Sequence, residues 1–179
     1  FSAHMAVHIA VVAVAAPLLA AAVVGGPHDP AHRWPRVFAP IPASMVELLL
    51  VWLWHMPALH HAARTVPVAA LAEQLSFLGA GLLLWIASAG GDGARGTARG
   101  AAGVAALLFT SMHMTLLGAL FAVTPRALYA HGADGTATLA DQHLGGVIML
   151  LVGGGSYLAG GLWLMARVLL GGRQAAREP

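Results

Sequence analysis

The sequence predicts an all-α, polytopic transmembrane helix bundle of about five spans, and two observations carry that prediction. Of 179 residues, 59% are hydrophobic and only 9% charged, where an average soluble domain is about 25% charged. The apolar residues are also gathered into runs of about 20, the length that crosses a bilayer, each bounded by glycine or proline. A mean hydropathy of +0.77 agrees. Residues 1–179 read as a single membrane domain, with no soluble domain and no internal repeat.

The first span is expected over 4–24, ending at Gly25, Gly26 and Pro27. The chain opens at Phe1 without an initiator methionine or a basic segment, so upstream sequence is expected to be trimmed or missing. The first run is too long for a signal-peptide core and reads as a span. A polar loop follows, punctuated by Pro30, Pro35, Pro40 and Pro42. The second span, 44–63, should be kinked by Pro57 one turn before its end. The third, 66–88, is closed by Gly90, Gly91 and Gly93. The fourth, 101–123, stops before Pro125. A loop with Tyr129, His131 and Asp134 leads to the fifth, 141–170, with Asp141 as its N-cap. The run Gly153, Gly154 and Gly155 within it permits close helix packing.

Five crossings put the termini on opposite sides. The chain has no lysine, and seven of its nine arginines (Arg33, Arg36, Arg95, Arg99, Arg167, Arg173 and Arg177) fall on one side, with Arg64 and Arg126 on the other. The positive-inside rule makes the seven-arginine side, and the C-terminus, cytoplasmic, and puts the N-terminus outside. These arginines form no basic stripe interleaved with aromatics, so nucleic acid is not an expected partner; membrane lipid is. The absence of cysteine excludes disulfides and thiolate sites and leaves His, Met and carboxylate as metal ligands.

Eight of the ten histidines then belong to the outer half or the midplane. His4 and His8, one turn apart with Met5 between them, have the spacing of two metal ligands on one helix face, or are hydrated at the interface. At about 1.5 Å per residue, His8, His55 and Glu73 fall roughly 6 to 13 Å below the outer surface, with His113 slightly deeper. His55 either bonds a backbone carbonyl beside the proline kink or points inward as a ligand. His60 and His61 read as headgroup residues. Glu73, an acid inside a span with no basic partner in its own segment, needs an imidazole, a metal or water. Glu47 reads as solvated near the inner interface or paired with Arg36. Adjacent helical residues point about 100° apart, so of Met112, His113 and Met114 only His113 is taken as a ligand. The candidate metal set is therefore His4, Met5, His8, His55, Glu73 and His113. No hydrolytic triad, phosphate-binding glycine loop or dinucleotide fingerprint is present, so an enzyme is not expected.

Several motifs occur together and in order: Phe1, Ser2, Ala3, His4, Met5 and His8; Trp54, His55, Met56 and Pro57; Glu73, Gln74, Leu75, Ser76 and Phe77; Leu117 to Leu120 with Tyr129; and Asp141, Gln142, His143, Gly145 and Gly146. Nearly the whole chain thereby resembles the CtaG-type assembly factors of caa3 cytochrome c oxidases. The resemblance implies a multi-pass protein of the bacterial cytoplasmic membrane that helps build the copper centre of a haem-copper oxidase. It also implies copper, as Cu(I), for the ligand set above, and oxidase subunits as partners, with an oligomer compatible. Members of the family usually carry further helices before the His-Met motif, and a histidine where this chain has Gln74. Two other readings stay open: a metal-free accessory subunit of a respiratory complex, whose histidines form a polar core, and a b-type cytochrome with haem between His8 and His55.

Overall fold

A computed structural model describes residues 1–91, 97–129 and 136–175. Arg95, His131, Asp134 and Arg177, and Gly93 at the end of the third span, lie outside the described residues. The described chain is helical without strands: α1 (Ser2–Ile9), a π-helical segment (Ala10–Ala15), α2 (Ala16–Val23), α3 (Pro30–Arg33), α4 (Pro40–Trp54), α5 (Pro57–Thr65), α6 (Pro67–Ala89), α7 (Thr97–Val123), α8 (Thr136–Ile148), a second π-helical segment (Met149–Gly154) and α9 (Gly155–Ala175). Four helical stretches among the described residues are long and apolar enough to cross a membrane: Ser2–Val23, Pro67–Ala89, Ala98–Val123 and Leu139–Gly171. A fifth span is formed if α4 and α5, which meet at 74°, are counted together. The all-helical, four-to-five-span class is thus as expected.

Prolines set most of the helix starts. Pro40, Pro57 and Pro67 each sit in the first turn of α4, α5 and α6, where the missing N–H is no loss. Pro57 acts more strongly than a kink: its ring ends α4 at Trp54, and α5 turns away as a separate helix. Pro17 perturbs the first span in a way the 4–24 helix does not anticipate. The N–H of Ala16 bonds the carbonyl of Val11, five residues back. In that register the Val12 carbonyl would be served by residue 17, and proline has no N–H to give. A side chain serves it instead: Trp85 Nε1 donates at 3.3 Å, with the Tyr157 hydroxyl oxygen 3.4 Å away.

Helix α7 is the axis of the bundle and packs against α4, α6, α8 and α9. Its crossing with α8 is a glycine contact. A Cβ on Gly118 would lie 2.6 Å from the Leu150 nitrogen and 2.8 Å from the Gly146 carbonyl oxygen, and one on Gly146 2.5 Å from the Ala122 nitrogen. Close backbone approach of this kind is how small residues pack membrane helices. Gly153 and Gly154 likewise abut Ile9 and Thr115 within a π-helical turn and so serve packing, whereas a Cβ on Gly155 would have nothing within 4 Å. The core between the helices holds Met5, Ile9, Val12, Phe77, Leu84, Leu107, Met114, Phe121, Tyr157 and Leu164. Leucines and valines such as Leu18, Val68 and Leu116 face outward, as lipid-facing side chains do.

Two expectations are corrected here. Asp141 is not an N-cap, since α8 already begins at Thr136; its carboxylate accepts from the backbone N–H of Ser2 at 3.2 Å and from the Ser2 hydroxyl, tying α8 to α1. Glu47 is neither solvated nor paired with Arg36: it is fully buried and accepts from the Tyr157 hydroxyl, while Arg36 is exposed.

Candidate metal centre

The site forms at the end of the bundle where α1, α5 and α6 converge. Helical spacing stacks it in two layers. His4 and His8 are one turn apart on α1, and Glu73 and Phe77 one turn apart on α6, so each helix offers one residue to each layer. The break between α4 and α5 supplies the third wall, with His60 in the first layer and His55 in the second.

In the first layer, His4 Nε2 lies 3.4 Å from Glu73 Oε1, and the rings of His4 and His60 meet edge-on with centroids 5.2 Å apart. One donor atom from each of His4, His60 and Glu73 lies within 4.8 Å of the other two, and all three residues are buried. The other carboxylate oxygen, Oε2, accepts from Arg64 Nη2 at 2.8 Å and, more loosely, from Gln74 Nε2 at 3.4 Å. Arg64 follows His60 by one turn of α5 and is one-third exposed, with its side chain at 33%. A cavity of about 290 Å³, lined by His4, His60, Arg64, Tyr129, Asp141 and Gln142 among others, reaches the cluster.

In the second layer, the His8 and His55 rings lie 5.6 Å apart at 65°, and Phe77 packs 3.9 Å from His8. His55 Nδ1 donates to the Val51 carbonyl at 2.6 Å, which leaves the Nε2 lone pair turned inward without a partner. A histidine that fixes one ring nitrogen on a carbonyl and presents the other is in the tautomer metal ligands use. The carbonyl-bound reading of His55 therefore holds, with Nε2 left facing the bundle. Neither nitrogen of His8 has a hydrogen-bond partner among the described residues. Tyr129 closes the end: its hydroxyl donates to the His55 carbonyl at 2.5 Å and its ring lies 4.2 Å from that of His60. Burial pushes this phenol above its ordinary pKa and keeps it a donor.

Of the predicted ligands, His4 and Glu73 share the first layer and His8 and His55 form the second. Met5 is fully buried in the core, its Cγ against the space a Cβ on Gly145 would take. His113 is buried on α7 with its ring 5.7 Å from Phe109, and it is not one of the three converging ligands. His143 Nε2 engages the Thr124 carbonyl at 2.9 Å. His60, read as a headgroup residue, is instead 2% exposed; His61, beside it, is exposed as expected. Arg64, counted only as a topology signal, is the cation that Glu73 lacked in its own segment. The usable signal for both was the proline after His55, which permits α5 to turn one face back over the bundle.

The donors suit a metal ion. Nitrogen and oxygen ligands 2.0 to 2.2 Å from one ion stand about 3 to 3.6 Å apart, so the His4 and Glu73 atoms are already at ligand spacing and His60 needs a small approach. Imidazole suits copper and zinc alike, while the carboxylate is a harder ligand.

A bundle of membrane-length helices with histidines and a carboxylate buried at one end defines the class: a polytopic membrane protein with a polar cluster built between spans. Within it, the chain belongs to the cytochrome c oxidase caa3 assembly factor family (Caa3_CtaG), whose model matches residues 1–170. No curated protein and no solved structure gives a significant match.

Proposed function

We propose that the protein holds copper as cargo at His4, His60 and Glu73 during assembly of a haem-copper oxidase, in a bacterial cytoplasmic membrane with the cluster on the outer side. The supporting observation is the convergence of three buried donor atoms within 4.8 Å in a member of an oxidase assembly family. His8 and His55, one turn deeper, offer the next donors to an ion entering from the cavity; Met5 and His113 are not needed by this set. The partners are subunits of the oxidase that receives the ion. Nothing in the site calls for catalysis. Anaerobic loading with Cu(I), followed by desalting and metal analysis, tests the reading. The expected result is retained copper in the native chain and its loss in the double variant His4→Ala, His60→Ala; equal copper in both would refute it. Reporter fusions at the two termini check the orientation.

One observation favours a second reading. Arg64 already neutralises Glu73, so the cluster also works as a metal-free clasp joining α1, α5 and α6 in an accessory subunit. Failure to retain copper together with co-purification with an oxidase at fixed stoichiometry would select it. Haem is favoured less, because Phe77 against His8 leaves no slot for a porphyrin between His8 and His55; a Soret band in the pure protein would reverse that judgement.

A further inference from the structure

A second buried carboxyl lies elsewhere in the bundle and takes no part in the cluster above. Glu47, midway along α4, is fully buried. Its Oε1 accepts from the hydroxyl of Tyr157, which comes from α9. The Thr110 hydroxyl stands beside the carboxyl on α7. Tyr157 is also 3.4 Å from the Val12 carbonyl that Pro17 leaves without a backbone donor, and the Trp85 ring stacks on the phenol at 5.5 Å and 17°. Three helical elements, α4, α7 and α9, thus meet at one acid, and the first π-helical segment and α6 reach its phenol.

Among the described residues no cation answers it: the ion pairs there are those of Phe1, His4 and Arg64, none of which involves Glu47. Arg99 spends its Nη2 on the carbonyls of Phe38 and Ala87. Glu47 Oε2 and Thr110 Oγ1 both lack a hydrogen-bond partner although both are fully buried. A buried carboxylate without a counter-charge inside a membrane bundle is strongly disfavoured. A neutral acid suits the same surroundings: Tyr157 donates to Oε1, and a carboxyl O–H has the neighbouring Thr110 oxygen as an available acceptor.

We infer that Glu47, Tyr157 and Thr110 form a proton-binding site inside the bundle, with Glu47 as the acid that carries the proton. This site is separate from the histidine cluster and stands whether or not copper binds there. Its ligand is a proton, held by a buried acid between α4, α7 and α9.

Infrared difference spectra of the purified full chain in lipid nanodiscs, in H₂O and D₂O, test the inference. The expected result is a carboxylic-acid C=O band at neutral pH that shifts to lower frequency in D₂O, is missing in Glu47→Gln and moves in Tyr157→Phe. Loss of carboxylate bands instead, or no change at all, overturns it. Should Glu47→Gln fail to fold, the native chain answers alone through dicyclohexylcarbodiimide. The O–H of a protonated carboxyl adds across one C=N bond of the reagent, and acyl transfer to nitrogen leaves an N-acylurea with no leaving group. Mass spectrometry is expected to place that adduct on Glu47 and not on the ion-paired Glu73. An unmodified Glu47, or modification blocked by sodium ions at constant pH, overturns the assignment, the latter in favour of a cation site.

Discussion

Arg64 occupies the charge-compensating position that a bound metal would take at Glu73, so removing it should tighten copper binding. Glu73 is fully buried and its Oε2 lies 2.8 Å from the guanidinium. Breaking a buried ion pair costs about 3–5 kcal/mol and an exposed one about 0–1 kcal/mol. With the Arg64 side chain 33% exposed, a value near 2 kcal/mol is appropriate. In Arg64→Leu that amount is lost from the metal-free protein, because the carboxylate is left without its partner. Copper regains it on binding. At 1.4 kcal/mol per decade the variant should bind copper about 30-fold more tightly than the native chain. Competition against a chromogenic Cu(I) chelator in detergent measures the affinity, and thermal unfolding with and without copper measures the stability. The metal-free variant should melt lower and show the larger stabilisation by copper. A variant that is destabilised yet binds copper with native affinity would refute the reasoning, since Glu73 would then be the partner of Arg64 alone.

Gly118→Ala should destabilise the fold by about 1–3 kcal/mol through overpacking, because the backbone atoms of Leu150 and Gly146, 2.6 and 2.8 Å from the new Cβ, cannot swing aside; thermal unfolding in detergent reads this. Asp29 accepts from the N–H groups of Gly25, Ala31 and Gly91 at 3.0, 2.9 and 2.8 Å and ties the first loop to the end of α6. Burial alone would raise its pKa, but these three bonds outweigh it and hold the carboxyl below its ordinary 3.8. Its folded value being the lower one, Asp29 contributes stability above the unfolded pKa and loses it as pH falls through the folded pKa. Asp29→Ala should therefore lower the denaturation midpoint at about pH 7 and flatten the native chain's loss of stability below about pH 4. Tyr129→Phe removes the donor at 2.5 Å from the His55 carbonyl and should cost about 1–2 kcal/mol, the penalty for an orphaned buried acceptor.

The spans were legible because each is a local property: an apolar run of membrane length between glycines and prolines. Prolines were legible as positions and less so as consequences. Pro57 reads as a kink, yet the 74° turn it permits depends on what α5 finds to pack against. Pro17 passes unmarked within 4–24, because a membrane helix tolerates proline when a neighbour supplies the missing donor, and the donor, Trp85, comes from a distant helix. The site divides in the same way. His4 and His8 share a face by helical spacing alone, whereas His60 changes from a surface residue to a buried one solely through the bend of α5. Depth counted along straight helices could not show that.

The two buried acids make the distinction sharpest. For Glu73 the sequence states a demand, a charge within an apolar span, and that demand correctly anticipates an imidazole, met by His4 at 3.4 Å. It does not anticipate Arg64, whose place in a short outer turn looks sufficient as a topology signal. For Glu47 the error ran the other way: a position near the inner end of a span looks wet, and only Tyr157, 110 residues along the chain, shows that it is dry. Burial of a charge creates a requirement that a sequence can reveal, while the residue that satisfies it is selected by helix packing. The carboxyl whose partner is a cation and the one whose partner is a phenol thus look alike in one dimension. Their different chemistry, a carboxylate paired with Arg64 beside His4 and a neutral acid holding a proton, is a product of the fold.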